Sequence, residues 1–361
     1  MPLENQLLKW YLINKRDLPW RKNKDPYSVW ISEIILQQTR VSQGIHYYKN
    51  FMKIFPNIEK LSKSKESLVL KAWQGLGYYN RAINLHKTSK EIINNLDGKF
   101  PSTYRDLIKL KGIGDYTASA ISSICFDEFN PVVDGNVMRF LTRYNGIKEP
   151  IDSKKTQNKV KEIGKGLIDK TNNPGDFNQA MMEFGALICT PFPDSNSWIL
   201  SSKCTAYKKN IVEKLPFKSK KKKVKERFFN YIVLVDPNNK TLIEKRIKKD
   251  IWFKLNQFPL IETNFKVENI KKVSSFIKFI DSQKILIKTN TFLKYNIKHV
   301  LSHQVLYMSF YIFKTEKDIP MGIDLLKLSN YNFPVPINNL SLIHISEPTR
   351  PLYISYAVFC L

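Results

Sequence analysis

A mainly α N-terminal domain followed by a smaller α/β domain is the fold the sequence predicts. Three observations lead there. The chain has 361 residues, more than one typical core requires, so two domains are expected. Up to about residue 215, apolar residues recur at helical spacing between Pro and Gly breaks. Beyond a lysine-rich stretch, β-branched and aromatic runs bounded by turn residues take over.

The elements follow in order. Trp30, Ile34, Val41 and Ile45 fall near one helical face, as do Leu107, Ile108 and Leu110, then Ile121 and Ile124 after a glycine turn. Pro56, Gly75, Gly77, Pro101 and Pro174 punctuate the helices. Residues 1–215 form this domain. A basic linker, 216–227, carries Lys218, Lys220, Lys221, Lys222, Lys223, Lys225 and Arg227, which either track phosphates or are merely solvated. Phe229–Val235 reads as a strand, Asp236-Pro237-Asn238-Asn239 as a turn, Thr241-Leu242-Ile243 as renewed extended chain, and Phe310–Phe313 as another strand. These place an α/β domain at 228–340. Residues 341–361 read as translated sequencing-adapter sequence, so His344 and Cys360 carry no functional weight.

Composition narrows the class. Hydrophobic residues make up 43% and charged residues 25%, which excludes global disorder. No apolar run is long enough for a bilayer, and Met1-Pro2-Leu3-Glu4-Asn5 lacks the pattern of a secretory signal. The expected location is the cytoplasm. A net charge of +26 favours a polyanionic partner, most simply nucleic acid, against the alternative of a composition shaped by an AT-rich genome. Cys125, Cys189, Cys204 and Cys360 form no CxxC pair and read as free thiols. The histidines show no HExxH spacing.

Two features carry chemistry. Leu110-Lys111-Gly112-Ile113-Gly114 lies between helical patterns, with Asp115, Tyr116 and Thr117 opening the second. Two glycines allow a tight turn with the backbone close to a ligand. The following helix N-terminus favours an anion, so the segment suits a DNA phosphate held without reading sequence. The second feature is a pair of acids. Glu33 sits in the apolar run Trp30–Leu36; it either faces water or is buried, and burial would keep it protonated near neutral pH. Asp134 precedes a helix and suits an ordinary N-cap. Together the two suit a general acid and an ionised partner stabilising positive charge on a sugar.

These segments together resemble the adenine DNA glycosylases, the MutY family among the helix-hairpin-helix glycosylases. The matching runs are Arg16–Arg21, Asp25–Tyr27, Val29–Glu33, Leu36–Val41, Trp73–Tyr79, Arg81-Ala82, Asn84–His86, Leu110–Gly114, Val133–Val137 and Phe177–Met182. The resemblance implies excision of adenine paired with 8-oxoguanine or guanine in double-stranded DNA, after the base is flipped out. Glu33 would protonate the adenine, Asp134 would stabilise the sugar cation, and Tyr116 and Asn136 would support them. Arg16, Trp20, Arg21 and Gln179 resemble adenine-pocket residues. Leu36, Gln37, Gln38 and Tyr78 resemble residues that enter the gap and contact the opposite lesion. Leu110, Gly112, Ile113, Gly114 and Thr117 would form the DNA-binding hairpin. A bifunctional relative has a lysine nucleophile at the Tyr116 position; a phenol cannot form that Schiff base, so excision without strand cleavage is expected.

The C-terminal domain resembles the family's Nudix-like recognition domain, through Trp252-x-x-Leu255-x-x-Phe258-Pro259 and Phe333-Pro334-Val335-Pro336. Lys298–His303 resembles the loop that senses 8-oxoguanine, with Ser302 and His303 as donors. No REx2EE stretch is present, so Nudix metal hydrolysis is not expected. The chain departs from the family at its [4Fe–4S] cluster. Cys189 and Cys204 correspond to the outer two ligands, whereas the inner positions fall on Ser195 and Trp198. Two thiolates cannot hold a cluster that needs four, so no cofactor is expected. Apolar packing of Phe192 and Trp198 is expected to hold the segment instead. A monomeric glycosylase acting on DNA, with no membrane association, is the reading. A thymine or uracil mismatch glycosylase, or a lesion-binding protein that has lost catalysis, are the rivals.

Overall fold

The computed structural model describes residues 1–194, 200–219 and 224–340, except for the side chains of 289–292. The chain divides into two compact units, Met1–Leu76 with Asn80–Lys221, and Gly77–Tyr79 with Lys222–Leu361.

The first unit is helical. Its helices are α1 (Leu3–Asn14), α2 (Pro26–Leu36), α3 (Val41–Ile54), α4 (Ile58–Lys63), α5 (Glu66–Ala72) and α6 (Asn80–Asn95). Then come α7 (Tyr104–Leu107), α8 (Asp115–Phe126), α9 (Gly135–Asn145), α10 (Lys154–Ile168), α11 (Pro174–Leu187) and α12 (Thr205–Lys208). Local chemistry sets several starts. Asp25 caps α2 by accepting from Ser28 N at 2.8 Å, with Pro26 at the first helical position. Asn173 and Pro174 repeat the device at α11. α11 is central: it packs on α1, α8, α9 and α10, and Phe184 meets Trp10 and Phe140 edge-on at 5.3 and 5.0 Å.

The expected face through Trp30, Ile34, Val41 and Ile45 does not lie on one helix. The chain breaks between Leu36 and Val41, with Gln38 left-handed at φ 59°. Arg81 from α6 stabilises the break. Its guanidinium donates to the carbonyls of Ile34, Ile35 and Gln37 at 2.8, 3.1 and 2.5 Å, groups a helix end leaves unpaired. Ile108 likewise departs from expectation: it is 38% exposed while Leu107 and Leu110 are buried.

The second unit contains β1 (Lys225–Val235), β2 (Lys240–Thr241), β3 (Glu244–Lys245), β4 (Asn256–Gln257) and β5 (Leu260–Thr263). It continues with α13 (Ser274–Gln283), β6 (Ile287–Val300), β7 (Gln304–Thr315), β8 (Ile323–Asp324) and α14 (Val335–Leu340). The main sheet has the order β5-β1-β7-β6; β1 and β7 run parallel and the outer pairs antiparallel. Phe229, Tyr231 and Val233 of β1 enter one core and Ile232 and Leu234 another, so both faces of the strand are covered. Three expectations change. β1 starts at Lys225, inside the stretch read as linker. Of Thr241-Leu242-Ile243 only Thr241 is strand, in β2, and pairing resumes at Glu244–Lys245. Lys298–Val300 are strand residues, leaving Leu301–His303 as the turn. Phe258 and Phe333, one from each Nudix-like run, stack at 5.8 Å.

Candidate active site

A cleft of about 1360 Å³ opens within the first unit. It is lined by Arg16, Trp20, Arg21, Glu33, Leu36, Gln37, Gln38, Tyr116, Asp134, Asn136 and Gln179 together. These positions span most of the helical unit in sequence, yet all reach one cavity.

Glu33 occupies the buried side of α2 and is 6% exposed, so the water-facing alternative is excluded. Burial pushes its carboxyl up to about 7; Asp134 adds to the rise, while a hydrogen bond with Tyr116 and the charge of Arg21 oppose it. Tyr116 also lies 3.4 Å from Met182 Sδ. Burial and the nearby Glu33 and Asp134 push its phenol well above the ordinary value, so it stays protonated as a donor.

Asp134 is both an N-cap and a cleft residue. Its Oδ1 accepts from Val137 N and its Oδ2 from Asn136 Nδ2, each at 2.7 Å. Burial raises its carboxyl, and these donors together with Arg139 hold back the rise. Asn136 is oriented in turn by Arg139, which donates to Asn136 Oδ1 at 2.9 Å and to the Gly185 and Cys189 carbonyls at 2.6 and 2.7 Å. Gly185 is needed at this crossing, because an added Cβ would come 2.7 Å from the Asn136 carbonyl oxygen.

Glu183, not singled out by the sequence, organises the other wall. Its buried carboxylate accepts from Arg16 N, Nε and Nη2 at 2.9, 2.7 and 2.7 Å, and from Arg21 Nη2 at 2.8 Å. Burial would raise this carboxyl, but the two arginines outweigh it and hold it at about 2. Trp20 packs edge-on to Tyr48 at 5.2 Å. Gln179, Met182, Glu183 and Ala186 all line the cleft at i, i+3, i+4 and i+7 on α11. That spacing was a readable signal for Glu183.

The hairpin lies between α7 and α8. Gly112 has φ 83°, and a Cβ there would meet Asn84 Cβ at 2.7 Å. Leu110, Ile113 and Thr117 are buried, so they anchor the turn; Gly112 and Gly114 remain exposed. Tyr78 is 46% exposed, at φ 46°. In the second unit Ser302 and His303 are exposed at the β6–β7 turn, where Ser302 Oγ lies 3.3 Å from His303 Nδ1.

The segment after Cys189 is not held as expected. Phe192 is 88% exposed, and Trp198 and Ser195 lie outside the described residues. Arg143, 2% exposed, does the holding. It donates to the carbonyls of Thr190, Pro191 and Leu215 at 2.6, 2.9 and 2.8 Å. Cys189 Sγ lies 3.6 Å from Arg143 Nη1, and Cys204 Sγ 3.4 Å from the Arg143 carbonyl oxygen. Burial pushes both thiols up, so they are neutral core groups. This donor set does not fit a four-thiolate cluster. Among the described residues, no group of three or more His, Cys, Asp or Glu is placed to hold a metal ion, and no helix is long and apolar enough to cross a membrane.

Comparison with known proteins agrees with this geometry. Residues 31–165 match the HhH-GPD superfamily of base excision DNA repair proteins, and residues 230–341 match the NUDIX domain. The solved structure of a thermostable thymine-DNA glycosylase superposes with a TM-score of 0.51 at 28% identity, over 57% of this chain and 95% of that one. Fold and cleft thus define a base-excision glycosylase of the helix-hairpin-helix class. The adenine DNA glycosylase of Buchnera aphidicola subsp. Schizaphis graminum is 40% identical over 344 residues, 92% of this chain and 96% of its own length. The human adenine DNA glycosylase is 41% identical over 194 residues, 51% of this chain and 35% of its own. The chain belongs to the adenine DNA glycosylase family.

Proposed function

We propose that this protein removes adenine mispaired with 8-oxoguanine or guanine in double-stranded DNA, hydrolysing the N-glycosidic bond and leaving the strand intact. The observation that carries the reading is Glu33: a buried carboxyl, hydrogen-bonded to Tyr116, sharing a cleft with Asp134.

In this mechanism the flipped adenine enters the cleft and Glu33 donates its proton to a ring nitrogen. The glycosidic bond breaks, the electron pair leaving with adenine, and Asp134 stabilises the oxocarbenium-like sugar. Water adds its hydroxide at the anomeric carbon, and its proton returns to the Glu33 carboxylate. Arg16, Arg21 and Gln179 offer polar groups to the base edge, while Glu183 fixes the two arginines. Leu36, Gln37, Gln38 and Tyr78 fill the gap left by the base; an aromatic there replaces stacking worth about 1–3 kcal/mol. Ser302 and His303 read the 8-oxoguanine. In this reading the protein acts as a monomer.

The reaction runs without an iron–sulfur cluster. Arg143 supports this part of the reading, because it fixes the chain at residues 190–191 and at Leu215 where a cluster would otherwise tie the loop. Tyr116 supports hydrolysis without strand cleavage, having no amine to attack the sugar. The test is single-turnover release from duplexes carrying A opposite 8-oxoguanine, A opposite G, or T opposite G, with borohydride present in parallel. Release of adenine alone and no trapped adduct are expected. Thymine released at a comparable rate would mean a different mismatch enzyme, and efficient trapping would mean a lyase.

A further inference from the structure

The cleft has a wall that the proposed chemistry does not use. Lys154, Gln157, Asn158 and Lys161 line it from α10. Their spacing puts all four on one helical face, while Thr156, Val160, Gly164 and Ile168 bury the other. The cleft-facing row carries two cations, two amides and no acid.

Two other lysines of α10 lie off this row. Lys159 pairs with Glu149 and Lys165 with Asp169, and neither lines the cleft. Lys161 is also ion-paired, but beside the glycine hairpin and within the cleft lining. Its ammonium lies 2.5 Å from Asp115 Oδ1 and 5.5 Å from the centre of the Tyr104 ring. Tyr104 donates to the same Asp115 oxygen at 2.6 Å. Asp115 opens α8 directly after Gly114, where a phosphate is to be gripped. Burial would raise this carboxyl, but Lys161, Tyr104 and the charge of Lys154 outweigh it and keep it ionised. An acid at that position would repel a phosphate, and the two lysines turn the local balance positive.

We infer that this face of α10 is a second DNA-backbone contact: Lys154 and Lys161 neutralise phosphates of the strand entering the cleft, with Gln157 and Asn158 hydrogen-bonding between them and Asp115 holding Lys161 in place. The inference rests on reading the cleft as a DNA site. Charge complementarity selects the occupant, because a row with cations about two helical turns apart and amides between them suits a polyanion better than a small anion.

The experiment measures binding of the full chain to a fluorescent duplex across a salt series. Each lysine that displaces a counterion contributes about 0.9 to the slope of log affinity against log salt. The pair Lys154→Gln with Lys161→Gln should reduce that slope by about 2. The matched pair Lys159→Gln with Lys165→Gln should leave it unchanged. Asn158→Asp, which adds an acid to the row without removing a lysine, should weaken binding uniformly across sequences. An unchanged slope in the Lys154/Lys161 pair, or an equal loss in both pairs, would overturn the inference. Wild-type protein with no salt-dependent DNA binding would instead remove the functional reading beneath it.

Discussion

At the scale of single residues, Glu33 and Glu183 show how one side-chain type is set to opposite charge states. Glu33 loses its hydration to burial and stays protonated up to about pH 7; Glu183 is equally buried but meets two guanidinium groups and stays ionised down to about pH 2. The excision rate should therefore be full below pH 7 and fall about tenfold per unit above it, with a second fall at acid pH as Asp134 takes up a proton. A pH profile under single-turnover conditions checks this. The same shift has a stability sign. A carboxyl whose folded pKa lies above its unfolded value costs stability as pH rises from about 4.5 to about 7. Glu33→Gln should thus stabilise the protein at pH 8, by at most about 3 kcal/mol, and leave it unchanged at pH 4. Glu183→Ala should do the reverse, losing about 3–5 kcal/mol by leaving Arg16 and Arg21 without their acid, and abolish excision. Denaturant melts of the variants test both. The sequence made Glu33 and Asp134 visible as acids beside apolar runs. It did not show which acid is buried, because the burial of Glu33 depends on Tyr116 and α8, far along the chain. Asp134 was legible as a cap, and the structure shows that the cap and the cleft residue are the same carboxylate.

At the scale of elements, glycine and capping signals were the most readable. Gly112 sits where only a left-handed residue fits and where Asn84 leaves no room for a Cβ. Gly112→Ala should cost about 1–3 kcal/mol through strain at a positive φ and weaken DNA binding, as melts and titrations would show. β6 was not among the expected strands. It is an edge strand of the described sheet, paired with β7, and Leu293-Lys294-Tyr295-Asn296-Ile297-Lys298 does alternate, with Tyr295 and Ile297 against the core; that signal was present and was passed over. In the loop after Cys189 the expectation for Phe192 fails, while Trp198 lies outside the described residues. Sequence offers apolar residues as the natural substitute for a lost cluster, whereas the structure uses a buried arginine and backbone carbonyls. Arg143→Ala should leave those carbonyls unpaired and cost at least about 3 kcal/mol. Phe192→Ala should change stability by less than about 0.5 kcal/mol.

At the scale of the whole molecule, the proposed function assigns a different task to each unit. The helical unit contains every residue assigned to bond cleavage, and the α/β unit presents Ser302 and His303 on a hairpin turn. Ser302→Ala combined with His303→Ala should lower the preference for adenine opposite 8-oxoguanine over adenine opposite guanine by roughly three- to tenfold, about what one or two hydrogen bonds contribute. The net charge of +26 favoured a nucleic-acid partner over compositional bias, but did not give its location. Only the fold separates Lys154 and Lys161, which line the cleft, from Lys159 and Lys165, which do not. Glu33 is proposed to drive base hydrolysis without strand cleavage and without a cluster. The most direct test is single-turnover cleavage of a duplex with one adenine opposite 8-oxoguanine, with and without alkali. Wild-type protein shown by metal analysis to hold no iron would run beside Glu33→Gln. Strand breaks that appear only after alkali, and vanish in the variant, are the predicted result. Tight binding with no breaks from either protein would contradict the account and leave a protein that finds the lesion without excising the base.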